Sequence, residues 1–252
     1  MLLEIDGLTK RFGGLTAVSG LDMFVNKGEI TGLIGPNGAG KTTIFNLITG
    51  VLSPTKGRVT FDGKNITRKK PHVIAKLGIG RTFQLNPLFP YYTVLKNVTT
   101  AFHLQPHSSF FDIFFNTRAY RRNEAFIRKS ALDILQFVGL ELVREQPAMS
   151  LPHGYQKMLG VARALAIRPK LLLLDEPLGG MNPTEINYSL NAIKTMRDQG
   201  ITILIVEHNM EILDLCDRVI VINFGQKIAE GLPEDVRENK GVIRAYFGGE
   251  YA

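Results

Sequence analysis

The sequence has little that would cross-link the chain or anchor it in a bilayer. Its 252 residues include one cysteine, Cys216, and no uninterrupted apolar run near the ~18 residues that a spanning helix needs. A single cysteine excludes an internal disulfide and a cysteine metal site, which favours a buried apolar thiol. Glu4 and Asp6 lie where a secretory signal would be basic. We therefore expect a cytoplasmic chain that does not itself span a membrane.

An excess of positive charge limits the choice of partners only loosely. The 30 lysines and arginines outnumber the 23 aspartates and glutamates, which gives a formal net charge of +7 and a sequence pI of about 9.5. This balance suits a polyanionic ligand, an acidic partner or lipid headgroups. The basic residues are dispersed except at 68–70 and 118–122, and such clusters are more often solvated faces than binding sites. Charge does not exclude nucleic acid but gives it no specific support, and we expect no nucleic-acid partner.

A glycine-rich turn between an apolar strand and an amphipathic helix is the most informative feature. The turn reads Gly35, Pro36, Asn37, Gly38, Ala39, Gly40, Lys41, Thr42 and Thr43. It satisfies the G-x-x-x-x-G-K-[ST] pattern in the strand-to-helix context that gives the pattern meaning. In such a loop the backbone N–H groups and the helix N-terminus bind phosphate oxygens. Lys41 is expected to reach the β and γ phosphates, and the Thr42 hydroxyl to ligate Mg²⁺.

Two carboxylates follow a second buried strand. Residues 171–174 form a continuous apolar run typical of a parallel strand, and Asp175 and Glu176 come directly after it. Open α/β sheets bind their ligands at this carboxyl edge. Adjacent strand residues point to opposite sides, which predicts different tasks for the two acids. Asp175 is expected to hold Mg²⁺ through water and Glu176 to polarise the attacking water; an acid pair that merely caps a turn is the disfavoured alternative.

Three further residues are weaker candidates on their own. His208 follows the apolar strand 201–206 at the same sheet edge, where it can hydrogen-bond a γ-phosphate, although a lone histidine is more often structural. Gln84 ends the predicted strand 79–84 before a proline-containing loop, where it can contact a metal or water. Phe12 ends the first predicted strand, and both an adenine-stacking role and the role of a core or edge aromatic fit it.

The central part of the chain changes to a helical pattern. Residues 93–140 have two apolar stripes at helical spacing. Between the stripes lies the aromatic cluster 110–115, which is either core or a contact surface for a membrane-protein partner. A further helical stretch follows residues 151–156 and ends at Pro169. We interpret the block as an insertion.

The predicted fold class is α/β. It consists of a P-loop NTPase core with a mostly parallel sheet flanked by helices, an antiparallel β layer formed by the first strands, and an inserted helical subdomain. Residues 1–92 and 168–252 are assigned to the ATP-binding core and residues 93–167 to the helical subdomain.

Taken in order, these motifs resemble the ATP-binding subunits of ABC transporters over the whole chain. The matching features are the phosphate loop at 35–43, Gln84, the helical block, the signature loop from Leu151, the pair Asp175 and Glu176, the loop at Asn182, and His208. Within that superfamily, residues 81–84, 151–154, 180–183 and 233–246 look most like the ATPases of branched-chain, or hydrophobic, amino acid importers.

The resemblance implies a composite site in a dimer, formed with an identical copy or with a related chain. ATP would lie between the phosphate loop of one subunit and the signature-loop residues Leu151, His153, Gly154 and Tyr155 of the other. Phe12 would stack on adenine, Gln84 would meet Mg²⁺ and water, and Glu176 would be the general base.

The resemblance also implies membrane partners. ATP-driven closure and reopening of the dimer would drive integral membrane permease subunits, which would contact the loop 85–92. A periplasmic or extracellular solute-binding protein would belong to the full system. The chain would then lie at the cytoplasmic face of the membrane.

Two other functions stay open on the sequence. The same ATPase engine would also serve export of lipopolysaccharide or other cargo. A soluble ABC-type protein that acts on ribosomes or DNA is disfavoured, because such proteins usually have two cassettes or a long coiled-coil insertion and this sequence shows neither.

The signature loop departs from the family pattern, which is Leu-Ser-Gly-Gly-Gln. Residues 151–155 read Leu-Pro-His-Gly-Tyr and keep only the leucine and the second glycine. Pro152 has no hydroxyl and no backbone N–H, so the trans contact to the γ-phosphate must come from helix-terminal N–H groups near Gly154, with His153 as a supplement. Asn182 also stands where aspartate is usual. We predict a competent but slower site.

Pro152→Ser should raise the ATPase rate and strengthen ATP-driven dimerisation, because serine restores both a hydroxyl and an N–H donor at the loop. Steady-state phosphate release and size-exclusion chromatography with ATP measure the two effects. If neither the rate nor the dimerisation changed, the proline would not be limiting.

Overall fold

Two β-sheets form the framework of the protein. The computed structural model describes residues 1–83, 88–102, 117–207 and 210–247. Two predicted site residues, Gln84 and His208, and the aromatic cluster 110–115 lie outside the described residues.

The first sheet is antiparallel and is built from the early strands. Within the described residues its order is β2 (Leu15–Val25), β1 (Leu3–Phe12), β4 (Lys56–Phe61) and the two-residue β5 (Lys64–Asn65). All neighbouring pairs are antiparallel. The predicted antiparallel layer is confirmed.

The second sheet is mostly parallel and contains the strand before the phosphate loop. Within the described residues its order is β10 (Gln226–Gly231), β9 (Arg218–Asn223), β3 (Ile30–Ile34), β8 (Thr202–Val206), β7 (Leu171–Asp175) and β6 (Ile79–Arg81). Only the edge pair β10–β9 is antiparallel among these strands. The carboxyl ends of β3, β6, β7 and β8 therefore meet at one edge.

Helices cover this second sheet. In the described residues they are α1 (Lys41–Ile48), α2 (Pro71–Leu77), α3 (Val94–Phe102), α4 (Arg118–Phe137), α5 (His153–Leu165), α6 (Pro183–Asp198), α7 (Pro233–Glu238) and α8 (Lys240–Phe247). Short 3₁₀ turns occupy Glu141–Val143, Ala148–Ser150 and Met210–Leu215. None of these helices combines the length and apolar character that crossing a bilayer requires, within the described residues.

The sequence-based strand 79–84 is too long. Strand β6 ends at Arg81. Thr82 still contacts β7: its N–H donates to Leu173 O at 2.9 Å, and its Oγ1 accepts from the Asp175 N–H at 3.0 Å. Near the carboxyl end of the chain, residues 242–247 form the greater part of helix α8.

Alternate residues of the central strands enter two hydrophobic clusters. Leu172 and Leu174 join a cluster with α3, α4, α5 and α6, whereas Leu171 and Leu173 pack with α1 and the antiparallel sheet. Burial on both faces explains why the strand is a continuous apolar run. Cys216 lies in the first cluster, where burial raises the pKa of its thiol to about 12.

Candidate active site

The phosphate loop is held by backbone contacts that exclude side chains at two positions. A Cβ at Gly35 would lie 2.1 Å from Ile222 O, and one at Gly40 would lie 2.6 Å from Ala17 O. Gly40 also has a left-handed φ of 104°. Glycine at both positions is therefore required by β9 and β2, which press against the loop.

Lys41 begins α1 and folds back over the loop. Its side-chain nitrogen Nζ donates to Gly35 O at 2.6 Å and to Pro36 O at 3.0 Å. Burial lowers the pKa of Lys41, while the charges of Glu176, Asp175 and Glu207 act in the opposite direction. The ammonium group is thus both desolvated and close to three carboxylates.

The N-terminus of α1 is open to an anion. Its cap residue, Gly40, supplies no side-chain hydrogen bond, and the first turn contains no acidic residue. The first-turn N–H groups of a helix have no partner within the helix. Thr42 is exposed and Thr43 is half-buried at the same end. Together with the loop N–H groups, this end can accept phosphate oxygens.

Asp175 forms a buried salt bridge with Arg81. Arg81 Nη2 lies 2.9 Å from Asp175 Oδ2, and the two side chains are 5% and 2% exposed. The second terminal nitrogen, Nη1, donates to Asn46 Oδ1 at 2.7 Å and to Thr49 Oγ1 at 3.2 Å, both in α1. Burial raises the pKa of Asp175, and the Arg81 guanidinium acts against that rise.

Arg81 was not a sequence-predicted site residue. The signal that could have found it is its place in a short buried strand, because a charged residue is almost never buried without a partner. Nothing in the sequence identifies that partner, which lies 94 residues further along the chain.

Glu176 lies beyond the end of β7, in a left-handed conformation with a φ of 47°. Its N–H donates to Val206 O at 2.9 Å, and its carbonyl oxygen accepts from Lys157 Nζ at 2.6 Å. The expectation that strand alternation directs Glu176 is therefore wrong, because a turn and not a pleat sets its direction. Asp175, the last strand residue, does pair with Val206 of β8.

Glu207 is a second site residue that the sequence-based prediction missed. It is fully buried, and its Oε1 accepts from the Leu178 N–H at 2.8 Å. Its signal was available: an acid that directly follows a buried strand at the same edge, next to His208.

The signature loop lies at the start of α5. Leu151 and Gly154 are buried, Pro152 is the N-cap without a side-chain bond, and His153 and Tyr155 are exposed. A Cβ at Gly154 would lie 2.8 Å from Glu185 Oε1. The loop is thus packed tightly against the start of α6.

Asn182 stabilises the N-terminus of α6. It is the N-cap of α6: Asn182 Oδ1 accepts from the Glu185 N–H at 3.0 Å, and the Asn182 N–H donates to Glu185 Oε2 at 2.9 Å. This reciprocal pair is a capping box.

The predicted residues fall into two groups. Lys41, Asp175 and Glu176 interact through their charges at one sheet edge, whereas the signature loop contacts Gly180 and Glu185. Phe12 is 44% exposed, with Lys10 Nζ 4.9 Å from its ring centroid. That exposure excludes a core role; adenine stacking stays a prediction, with a plain edge aromatic as its alternative.

The first group fits a nucleotide phosphate with Mg²⁺. Mg²⁺ in proteins usually keeps several waters and binds through one or two carboxylates and the substrate phosphates. The Thr42 hydroxyl and the Asp175 carboxylate are oxygen groups of this kind, and the glycine cradle and Lys41 suit phosphate oxygens.

The fold and this loop define a P-loop NTPase. Residues 18–179 match the family described as ABC transporter, and residues 226–252 match the family described as branched-chain amino acid ATP-binding cassette transporter. The chain belongs to the ABC transporter family. The predicted family and fold class are confirmed, and with them the assignment as an ATP-binding ATPase.

Individual relatives match over nearly the whole chain. The chain is 40% identical over 249 residues to the high-affinity branched-chain amino acid transport ATP-binding protein BraF of Pseudomonas aeruginosa, covering 98% of each chain. It is 39% identical to the corresponding protein LivG of Escherichia coli, with the same coverage. The fold also matches a crystal structure of an ATP-binding cassette of an ABC transporter in its ADP conformation, with 35% identity, a TM-score of 0.85, and coverage of 98% and 99%.

Arg81→Met should lower the free energy of unfolding by about 3–5 kcal/mol, because it leaves the buried Asp175 without its partner. Arg197→Met is the matched control. Arg197 pairs with Asp198 and Asp217 at the surface, and such pairs contribute at most about 1 kcal/mol. Denaturant unfolding without nucleotide, in EDTA, measures both variants. An equal loss of unfolding free energy in the two variants would show that the buried salt bridge stabilises the fold no more than a surface pair does.

Proposed function

We propose that the protein is the ATP-hydrolysing subunit of an importer of branched-chain or other hydrophobic amino acids. The observation that supports this cargo is the 36–40% identity, over nearly full length, to proteins named as branched-chain amino acid transport ATP-binding proteins. The match at 226–252 to the family of that name agrees with it.

In this proposal, the loop 35–43 and α1 bind the phosphates of ATP. Lys41 Nζ exchanges the carbonyls of Gly35 and Pro36 for phosphate oxygens, so the ammonium group is already in place before ATP binds. Thr42 and Asp175 hold Mg²⁺, with Gln84 as a further ligand by resemblance. Mg²⁺, when bound, neutralises phosphate charge and orients the reacting groups.

Glu176 acts as the general base. Two observations support this role: Glu176 directly follows the end of β7, and its charge interacts with those of Lys41 and Asp175. Glu176 takes the proton of the water that attacks the γ-phosphate. His208 is proposed, by resemblance, to hydrogen-bond the γ-phosphate.

The second face of each site comes from a partner ATPase subunit. The N-terminus of the 13-residue helix α5 has no side-chain cap and no acid in its first turn, so its N–H groups are available to an anion. Leu151, His153, Gly154 and Tyr155 form this face. The partner is a second copy or a related chain.

The permease subunits are proposed to contact the loop 85–92. Its described part is fixed to α3 by the fully buried Asn97, which accepts from the Phe89 N–H at 2.9 Å and donates to Phe89 O at 3.0 Å. A loop fixed in this way can transmit movement of the permease subunits to α3.

The division into a core of residues 1–92 and 168–252 and a helical subdomain of residues 93–167 is part of this proposal. So are a solute-binding protein in the full system and a location at the cytoplasmic face of the membrane.

Glu176→Gln should lower the ATPase rate by at least about 100-fold, because general-base catalysis contributes about 10²–10⁴-fold. The variant should still bind ATP and should accumulate as an ATP-bound dimer, measured by phosphate release and size-exclusion chromatography. Glu238→Gln, at an exposed position of α7, is the control and should leave both unchanged. Persistent hydrolysis by Glu176→Gln would contradict the base assignment.

The cargo is tested by purifying the tagged protein from its native membranes. We expect polytopic permease subunits to co-purify, and we expect vesicles of the complex with its solute-binding protein to take up radiolabelled leucine, isoleucine or valine on ATP addition. ATP-driven movement in the outward direction would favour the export alternative. Nucleic acid retained after a high-salt wash would favour a soluble switch.

A further inference from the structure

The turn that presents Glu176 has a backbone conformation that needs external support. A φ of 47° lies in the left-handed region, which residues other than glycine rarely adopt. Such conformations persist only where the surrounding contacts hold them, and they concentrate at functional sites. The contacts that hold this turn therefore also determine where the Glu176 carboxylate lies.

Two side chains from other elements hold the turn on either side of Pro177. Lys157 Nζ, from α5, donates to Glu176 O at 2.6 Å. Glu207 Oε1, from the end of β8, accepts from the Leu178 N–H at 2.8 Å. A backbone bond from the Glu176 N–H to Val206 O, 2.9 Å, completes the attachment to the sheet.

Lys157 lies against more than one residue of the turn. A Cβ at Gly179 would lie 3.1 Å from Lys157 Nζ, so the ammonium group fills the space beside that glycine. The group also has favourable charge interactions with Glu207, Glu176 and Asp175. A neutral side chain of the same length would lose both the donor and these interactions.

We propose that Lys157 is a positioning residue for the general base. By donating to the main-chain oxygen of Glu176, it holds the residue in the left-handed conformation from which the carboxylate reaches the attacking water. This inference rests on the proposed function, in which Glu176 is the base. Lys157 itself takes no part in proton transfer.

The test compares Lys157→Met with Lys157→Arg, which keeps a charged donor, and with Lys129→Met at an exposed position of α4. We expect Lys157→Met to lower kcat about tenfold or more, because small displacements of a reacting group cost large factors in rate. ATP affinity, measured by fluorescent-nucleotide binding, should change less than about threefold, since the phosphate-binding groups are untouched. Lys157→Arg should recover most of the rate, and Lys129→Met should match the wild type.

A double variant separates positioning from a general structural role. In single-turnover assays, Lys157→Met should cause little further loss in a Glu176→Gln background, because its effect acts through that carboxylate. An equal fold-loss in both backgrounds, or a loss confined to ATP affinity, would overturn the proposal. If Glu176→Gln is inactive but Lys157→Met keeps the wild-type rate, the positioning role alone is wrong. If Glu176→Gln keeps the wild-type rate, the base assignment fails and the positioning role fails with it.

Discussion

The site depends on charge compensation among side chains that lie together at the carboxyl edge of the parallel sheet. These residues are Lys41, Arg81, Lys157, Asp175, Glu176 and Glu207. Removing an ion from water is expensive unless an opposite charge and hydrogen bonds compensate it. The charges of these residues therefore compensate one another, and the loss of one leaves its opposite charges less well compensated.

The sheet topology explains why these groups meet. Strands β3, β6, β7 and β8 run in the same direction, so the residues that follow them collect at one edge although they are far apart in the chain. Arg81 adds a link to α1 through Asn46 and Thr49. The helix that begins at the phosphate loop is thereby tied to the carboxylate proposed to hold Mg²⁺.

The sequence predicted the parts of the site that are contiguous in the chain, but not the contacts between residues that are far apart in it. The phosphate loop and the Asp175–Glu176 pair were predictable, because each is a contiguous pattern next to a strand with a clear apolar run. The salt bridge between Arg81 and Asp175 was not, because strand order cannot be read from a single sequence and sets which side chains face each other. The turn at Glu176 was also missed, because strand alternation does not predict the direction of a side chain beyond the end of the strand. The roles of Gln84 and His208 stay predictions.

The position of Lys157 within α5 has a consequence for assemblies of two chains. Lys157 lies about one helical turn after His153, and a helical turn is stiff. In the proposed dimer, His153 at the start of this turn faces the nucleotide bound by the partner subunit. Lys157 at its end holds Glu176, the proposed base for the nucleotide bound by the same chain. The two ATP hydrolysis reactions of a dimer would then both depend on this helical turn. An unusual signature sequence in one chain would affect the rates of both reactions.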